Sequence, residues 1–475
     1  MSKTKAAARE RSPAALTLER FGWLNTRLLF WIVLAVAALI YSQTQFWNQP
    51  SGSDRANWDY FAQVIARGGV PYRDVVNIKS PLSAYIGAAA IIVTRPFGLR
   101  DILAIRITFV LLGALTAAFT FLIAYDYFRS RLVAALAATV MLTFSAFARF
   151  NSGGIQPKTP MVLFGLVSLW ALMKDHPFLS GMFGMFSALS WQPGLLFVGA
   201  AGLGFSRYLT NWSDMKVVRL IAGTLLPLVI LLAYLWAAGA LESFYLWNIH
   251  FNATVYAPHE SRSISDFFSH FSKLLNGFYK NSSDYFYLAL GGLAIAISQE
   301  VKRARKRGGK YLLESAPVHA VMISPLVYFA FCMIDIQGGA DLIPLVPFVA
   351  IFAAVALGWI VEQTANLFKR IRPAGSRAVI ESCASILIVA LILIRNVSGA
   401  FSFERGFPTL KDQEPAVQEM VSHLEPGDKI FVYGRTELLV LSGLTNVSKY
   451  FLLDRGRQSI SIKWNPAASP AGSSG

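Results

Sequence analysis

The feature that most constrains this chain is a long series of apolar runs separated by short polar stretches. The runs lie at 28–41, 82–94, 102–124, 132–148, 159–173, 178–189, 194–205, 218–238, 285–298, 316–333, 342–361 and 379–394. Each reaches or approaches the length of a helix crossing a bilayer core of about 30 Å. In lipid a helix satisfies its own backbone polar groups, so such runs have a stable home there. Gly and Pro punctuate many of them, which membrane helices tolerate. The pattern predicts an all-α polytopic membrane protein with about 11–13 transmembrane helices.

Composition excludes the other broad classes. Only 15% of the 475 residues are charged, and the mean hydropathy is +0.48. An ordinary soluble domain carries about a quarter charged residues. The formal charge of +16 would suit a nucleic-acid binder. The bases, however, cluster in short runs between apolar segments, as the positive-inside rule requires. The expected partner is therefore the lipid bilayer and not a nucleic acid. Cys332 and Cys383 both fall in apolar runs and read as small buried residues, not as ligands or a disulfide.

The basic runs also set orientation. Residues 1–27 hold Lys3, Lys5, Arg9, Arg11, Arg20 and Arg27. They are expected to be cytoplasmic, ahead of a retained first span and not a cleaved signal. The bases at 302–310 and 369–377 should share that side. This places 240–284, 335–341 and everything after 395 outside. Counting crossings forward through the apolar runs puts the C-terminus inside instead, a disagreement of one crossing. Short-loop Lys/Arg bias is the stronger guide. A missed or split crossing is therefore expected between 81 and 149, where Arg95, Arg100, Arg129 and Arg131 all ask for the cytoplasm, for about thirteen spans in all.

The domain reading follows. A basic N-terminus (1–27) precedes a transmembrane domain (28–396) with outer loops at 43–81 and 240–284. In the second loop Phe267, Phe268, Phe271, Leu274, Leu275 and Phe278 recur at helical spacing. They predict an amphipathic helix over 264–278 lying in the interface. Residues 397–465 have ordinary soluble composition. Ala416, Val417, Met420, Val421 and Leu424 form a helical face, 429–433 alternates like a strand, and 436–442 suits a short helix. This predicts a small extracytoplasmic α/β appendage, followed by a low-complexity tail at 466–475.

No P-loop, HExxH, Cys/His cluster or nucleophile elbow is present. What remains for chemistry is acids, bases and amides in the outer loops. The stretch 51–81 is the richest, with Asp54, Asp59, Asp74 and Lys79 amid hydrocarbon. If 57–66 is helical, Asp54 sits at or before its N-terminus. A carboxylate there caps the helix, and it also stays ionised as a positioned base. Lys79, at headgroup depth, either snorkels or meets a lipid phosphate. Arg73, Asp74, Asp59, Gln192 in the turn Trp191-Gln192-Pro193-Gly194, and Asp341 at the outer end of a span are further substrate-binding candidates. His250, His259 and His270 match no metal-site spacing. Arg106, inside an apolar run, is a functional suspect by position.

The order Asp54, Trp58-Asp59-Tyr60-Phe61, Gly68-Gly69-Val70-Pro71-Tyr72-Arg73-Asp74, then Lys79-Ser80-Pro81-Leu82 resembles the first outer loop of bacterial family-39-type glycosyltransferases of the GT-C fold. These resemble protein O-mannosyltransferases and the lipid A aminoarabinose transferase. Weaker matches are Trp247-Asn248 with Asn252 and Tyr256, and Val432-Tyr433-Gly434 with Leu441-Ser442-Gly443 and Ser448-Lys449-Tyr450. The resemblance implies a GT-C-like protein of the bacterial plasma membrane. It implies transfer of a sugar from a polyprenyl-phosphate donor to a glycan, lipid or protein acceptor on the extracytoplasmic face. Asp54 would deprotonate or orient the acceptor hydroxyl, Lys79 would hold the donor phosphate, and Arg73 and Asp74 would shape the site.

One departure stands out. The second outer loop of that family carries an acid before the next span, whereas here Lys158 stands near that place. The departure leaves a metal requirement unassigned and bears on activity itself. Two rival readings follow: a lipid or sugar transporter or flippase, for which no internal repeat is found, and a non-catalytic, degenerate GT-C protein.

Overall fold

The computed structural model describes residues 25–204, 215–256, 263–369, 383–391 and 409–451, except Val389, Pro426, Gly427, Lys429, Tyr433 and Arg435. The basic start before Asn25, His259, Arg370, Arg372, Arg377 and the tail 466–475 lie outside the described residues. The helices in chain order are α1 Thr26–Ser42, α2 Ser53–Ala66, α3 Leu82–Thr94, α4 Asp101–Phe128, α5 Arg131–Thr143, α6 Ser145–Ser152, α7 Lys158–Met173 and α8 Pro177–Ser190. There follow α9 Leu195–Gly204, α10 Met215–Ala237, α11 Ile264–Asn276, α12 Ser283–Arg307, α13 Ala316–Ile334, α14 Val346–Lys369, α15 Leu410–Ser422 and α16 Glu437–Ser442. Among the described residues 5 helices are long and apolar enough to cross a membrane, or 6 if the bent pair α5–α6 forms one span. Shorter apolar helices such as α7 pack between them. The chain is a multi-pass membrane protein.

Helix α4 defines the two ends of the molecule. Its 28 residues span about 42 Å at the usual rise of 1.5 Å each. At its start, Asp101 accepts from Gln63 Nε2 of α2 at 3.3 Å and pairs with Arg95 at 3.0 Å. At its far end, the Tyr127 hydroxyl donates to Glu300 at 2.7 Å, beside Arg303. We call these the loop end and the basic end. Contacts fix the other helices between them. Tyr41 of α1 donates to the Met141 carbonyl at 3.0 Å at the loop end, and Lys174 pairs with Asp126 at 2.8 Å at the basic end. Lys216 at the start of α10 pairs with Asp175 at the basic end, while Arg73 of the first loop reaches Ala238 just beyond the end of α10.

Helix α3 is the exception. It starts at the first loop, and the Arg95 that follows it contacts both the Ala66 carbonyl and Asp101. Both its ends therefore lie at the loop end, alongside α2, with Ile92, Val93 and Phe97 facing outward. The run 82–94 does not cross, so the two crossing counts are reconciled by removing a crossing and not, as expected, by finding a missed or split one. Arg95 and Arg100 accordingly sit opposite Arg129, against the expectation that all four bases share a side. Each is matched by an acid: Arg95 by Asp101, Arg100 by Glu414.

Close helix packing depends on small residues where lipid offers no hydrophobic drive. Helices α8 and α10 touch backbone to backbone at Gly181 and Gly223. A Cβ at Gly223 would strike the Phe178 carbonyl, and one at Gly181 would strike that of Leu220. The expected amphipathic helix is present as α11, capped by the Ser263 hydroxyl accepting from Asp266 N at 3.2 Å. Phe267 and Phe271 pack on Phe329, while Phe268 faces outward. Cys332 is buried, but Cys383 is exposed, which corrects the expectation for that residue. The helix 383–391 touches the core through Ile388 and leaves Ile386, Leu387 and Leu391 open.

The appendage differs from the expected α/β unit. It has two helices, α15 and α16, but no strand among the described residues. Only the bridge between Ile430 and Asn446 forms. A side chain takes the place of a partner strand: Asn446 accepts from Val432 N at 3.0 Å and donates to Val432 O at 2.8 Å. Lys429 and Tyr433, at the ends of the expected strand, lie outside the described residues. The appendage packs on the first loop. Leu410, Leu439, Val440 and Phe451 share one core with Tyr60, Phe61, Ile91 and Ile105.

Candidate active site

The first loop builds its geometry around a strained turn. Tyr72 takes φ 68, a left-handed conformation rare for a bulky side chain. Its ring is buried against Phe244, with centroids 5.1 Å apart, and its hydroxyl donates to the Lys79 carbonyl at 2.8 Å. The Lys79 N–H donates to Asn77 Oδ1 at 3.0 Å. Next to it, the Ile78 carbonyl accepts from Gln192 Nε2 at 3.1 Å and from the Asn252 amide. Lys79 is thus held on both backbone sides. Asn252 comes from a stretch of wide helical turns, Tyr245–His250 and Asn252–Tyr256. The wider turn keeps Asn248, Asn252 and Tyr256, four residues apart, near one face.

These supports present Lys79 to a cavity of about 120 Å³ at the loop end. Asp54 and Arg55 from the first turn of α2, Lys79, Lys158 and Asp341 all line it. Trp191 and Tyr256 form aromatic walls. The Lys79 ammonium lies 4.2 Å from the Tyr256 ring centre and 6.0 Å from that of Trp191. The Lys158 ammonium lies 4.2 Å from the same indole. Lys158 pairs with Asp341 at 2.9 Å, and the other Asp341 oxygen accepts from Gln337 N at 2.8 Å and Gly338 N at 2.7 Å. Asp54 is exposed; the N-cap position of α2 is Gly52, and Asp54 stands one residue inside the helix.

The structure thus brings Asp54, Lys79 and Asp341 to one cavity, and the other candidates stand outside its lining. Gln192 holds the Ile78 backbone. Arg73 and Asp74 pair at 2.9 Å, and Asp74 also accepts from Val70 N at 2.7 Å, closing the turn. The Arg73 hydrogen bond holds the Asp74 carboxyl below the usual range. Asp59 is fully buried, and its Oδ1 accepts from Ile155 N at 2.9 Å. Burial pushes its carboxyl up to about 6, offset in part by that N–H and by the Arg106 and Arg55 charges. Gly154 makes the approach possible. It has φ +138, and a Cβ there would lie 2.7 Å from Asp59 Oδ2. Arg106 is buried and donates to the Phe46 and Pro50 carbonyls at 2.7 and 3.3 Å, tying α4 to the lead-in of the first loop.

Sequence reasoning missed Arg55 and did not place Lys158 in the site. From sequence Lys158 reads only as a departure from the family pattern. The signal that it belongs in the cavity is its register at the first turn of α7, beneath Trp191. His250 and His270 stand outside the cavity lining, and His270 meets the Gln337 carbonyl at 3.1 Å. No group of three or more His, Cys, Asp or Glu suited to a metal occurs among the described residues.

Comparison with known proteins agrees with this architecture. Residues 68–232 match the model of a family described as DolP-mannose mannosyltransferase. No curated protein matches the chain. ArnT from Cupriavidus metallidurans in the apo state superposes with TM-score 0.58 at 13% identity, covering 90% of this chain and 85% of that one. ArnT bound to undecaprenyl phosphate gives 0.55 at 13% identity, covering 90% and 87%. The oligosaccharyltransferase AglB from Archaeoglobus fulgidus, in complex with an inhibitory peptide and a dolichol-phosphate, gives 0.54 at 13% identity, covering 90% of this chain and 61% of AglB. The fold is that of the GT-C glycosyltransferases.

Proposed function

We propose that the protein is a membrane glycosyltransferase that moves a sugar from a polyprenyl-phosphate donor to an acceptor at the extracytoplasmic face of a bacterial plasma membrane. One observation carries the reading. Asp54 and Lys79, an acid and a base from the two ends of the first loop, line one cavity at the loop end. The ArnT structure with undecaprenyl phosphate and the AglB structure with dolichol-phosphate support a lipid phosphate as the donor's carrier. The bases at 302–310 gather at the opposite end, which supports an outward-facing cavity.

In this mechanism the donor phosphate rests against the Lys79 ammonium. The acceptor hydroxyl lies against Asp54. As the acceptor oxygen bonds to the sugar C1, its proton passes to Asp54. The bond from C1 to the phosphate oxygen breaks, with inversion, and the lipid phosphate leaves carrying the electron pair. Lys79 neutralises the charge that develops on it, and sparse solvation makes that charge count heavily. Asp59, Arg73, Asp74 and Gln192 position the loop without touching the reacting atoms. The acceptor is a hydroxyl of a glycan, lipid or protein.

The test is sugar release from a polyprenyl-phosphate sugar in a lipid extract, with purified protein. Transfer by wild type and its loss in Asp54→Asn is the expected result. Equal transfer by both would remove Asp54 from this role and turn attention to Asp341, the other carboxylate among the described lining residues.

A further inference from the structure

We infer that Lys158 is a built-in second cation for the donor phosphate, and that the cavity binds a polyprenyl phosphomonoester without a divalent metal ion. The inference rests on the transferase reading above and deepens it. The family pattern puts an acid near this position, where it would help hold a metal. The residues present do not fit one. Among the described residues, two carboxylates line the cavity, Asp54 and Asp341. One Asp341 oxygen is engaged by Lys158 at 2.9 Å, and the other accepts two backbone N–H bonds. A divalent ion would have to displace Lys158 and would meet Arg55 and Lys79 on the same lining.

The same residues suit an anion. Among the described residues three cationic side chains and two carboxylates line it, a balance that favours a guest of negative charge. Both ammoniums lie within 6.0 Å of one indole ring, that of Trp191. That ring limits where each can go. Lys158 is further fixed by Asp341, so ordering it on binding costs little rotamer freedom. An ammonium has three N–H donors, and the ion pair with Asp341 leaves others for phosphate oxygens. Lys158 is a binding residue here, and Asp341 is its positioning partner.

The experiment uses the full-length protein in detergent micelles and undecaprenyl phosphate as the probe. Affinity is measured in excess EDTA and again with Mn²⁺. The expected result is equal affinity in both. The double variant Lys158→Ala, Asp341→Asn, which leaves no buried unpaired charge, should bind roughly 10–100-fold more weakly, the usual effect of removing a charge-assisted hydrogen bond. Lys158→Arg should retain binding. Inorganic phosphate should compete poorly; competition equal to the lipid's would overturn the assignment to a lipid headgroup. Loss of wild-type binding in EDTA with recovery in Mn²⁺, or unchanged affinity in the double variant, would also overturn it. The EDTA comparison needs no variant, so it decides even if the double variant misfolds. Metal-free binding by a protein that transfers no sugar would refute the transferase reading and leave this one standing.

Discussion

The two ends of the molecule hold their charges in opposite ways. At the basic end lies a cavity of about 470 Å³, lined by Asp126, Arg129, Asp175, Arg303, Arg307 and Tyr311 among others. Its charges close on one another. Asp126 accepts from Lys174 at 2.8 Å, Trp170 at 3.1 Å and Arg129 at 3.3 Å. Glu300 is buried under Tyr127, Tyr311 and Arg303. At the loop end the cavity is only about 120 Å³. There the lysines rest on aromatic faces, and the backbone that carries Lys79 is clamped by distant amides. Volume alone would not have singled out the loop-end cavity. At the loop end the Lys158–Asp341 pair stands beside aromatic faces that hold both ammoniums at the cavity wall, whereas at the basic end the contacts of Asp126 and Glu300 join helices.

The largest test of this contrast is at Asp54. Asp54→Asn keeps shape and leaves the N-cap position at Gly52 untouched, so the protein should fold and insert. Turnover should fall by roughly 10²–10⁴-fold, the usual general-base contribution, with donor affinity unchanged. Next is Lys79→Ala, which should weaken binding of undecaprenyl phosphate by roughly 10–100-fold. Titration in micelles reads this directly, and an unchanged dissociation constant would break the contrast.

The third prediction concerns pH. The Asp59 carboxyl is raised from 3.8 to about 6 in the folded protein. The folded state therefore binds the proton more tightly than the unfolded state. This stabilisation is fully present below the unfolded value and is lost as pH rises through about 6. The swing is on the order of 3 kcal/mol at about 1.4 kcal/mol per unit. In detergent, the wild-type unfolding temperature should drop across that window, and Asp59→Asn should flatten the drop. A wild-type profile already flat from pH 4 to 7 would contradict it.

The smallest effect belongs to the basic end. Tyr127→Phe removes a buried hydrogen bond to Glu300 and should cost about 1 kcal/mol of stability. Transfer activity should stay at the wild-type level. If activity fell instead, the basic end would share in function and the contrast between the ends would fail.

Much of the scaffold was legible because hydrophobic runs report burial in lipid directly. The first loop was legible for the converse reason: its acids and Lys79 stand out against hydrocarbon. A run of 13 residues such as α3 is too short to say whether it crosses or lies at the surface. Only its end contacts, Arg95 with Ala66 and Asp101, decide that. The alternation at 429–433 suggested a strand, but the partner proved to be the amide of Asn446, which no local pattern encodes. Lys158 looked like a defect for a related reason. Its acid lies at Asp341 and its aromatic rest at Trp191, on separate elements that meet only when the helices pack. The sequence offers both Asp54 and Asp59 to the site, as catalytic acid and as substrate contact. Burial against Ile155 and Gly154 made one a support and left the other facing the cavity.

The bracing of the first loop by the appendage sets a timetable for biosynthesis. Ser51 exchanges two hydrogen bonds with Gln413 across 362 positions, and Tyr60 accepts from Asn446 N across 386. At a synthesis rate of roughly 5–20 residues per second, the first loop waits roughly 20–70 s for its partners to emerge. During that interval the faces of Tyr60, Phe61 and Gln63 that the appendage later covers are open to the membrane surface and to any chaperone there. The first loop is thus finished long after it is made, and each molecule acquires its completed outer face only once the appendage has been translated.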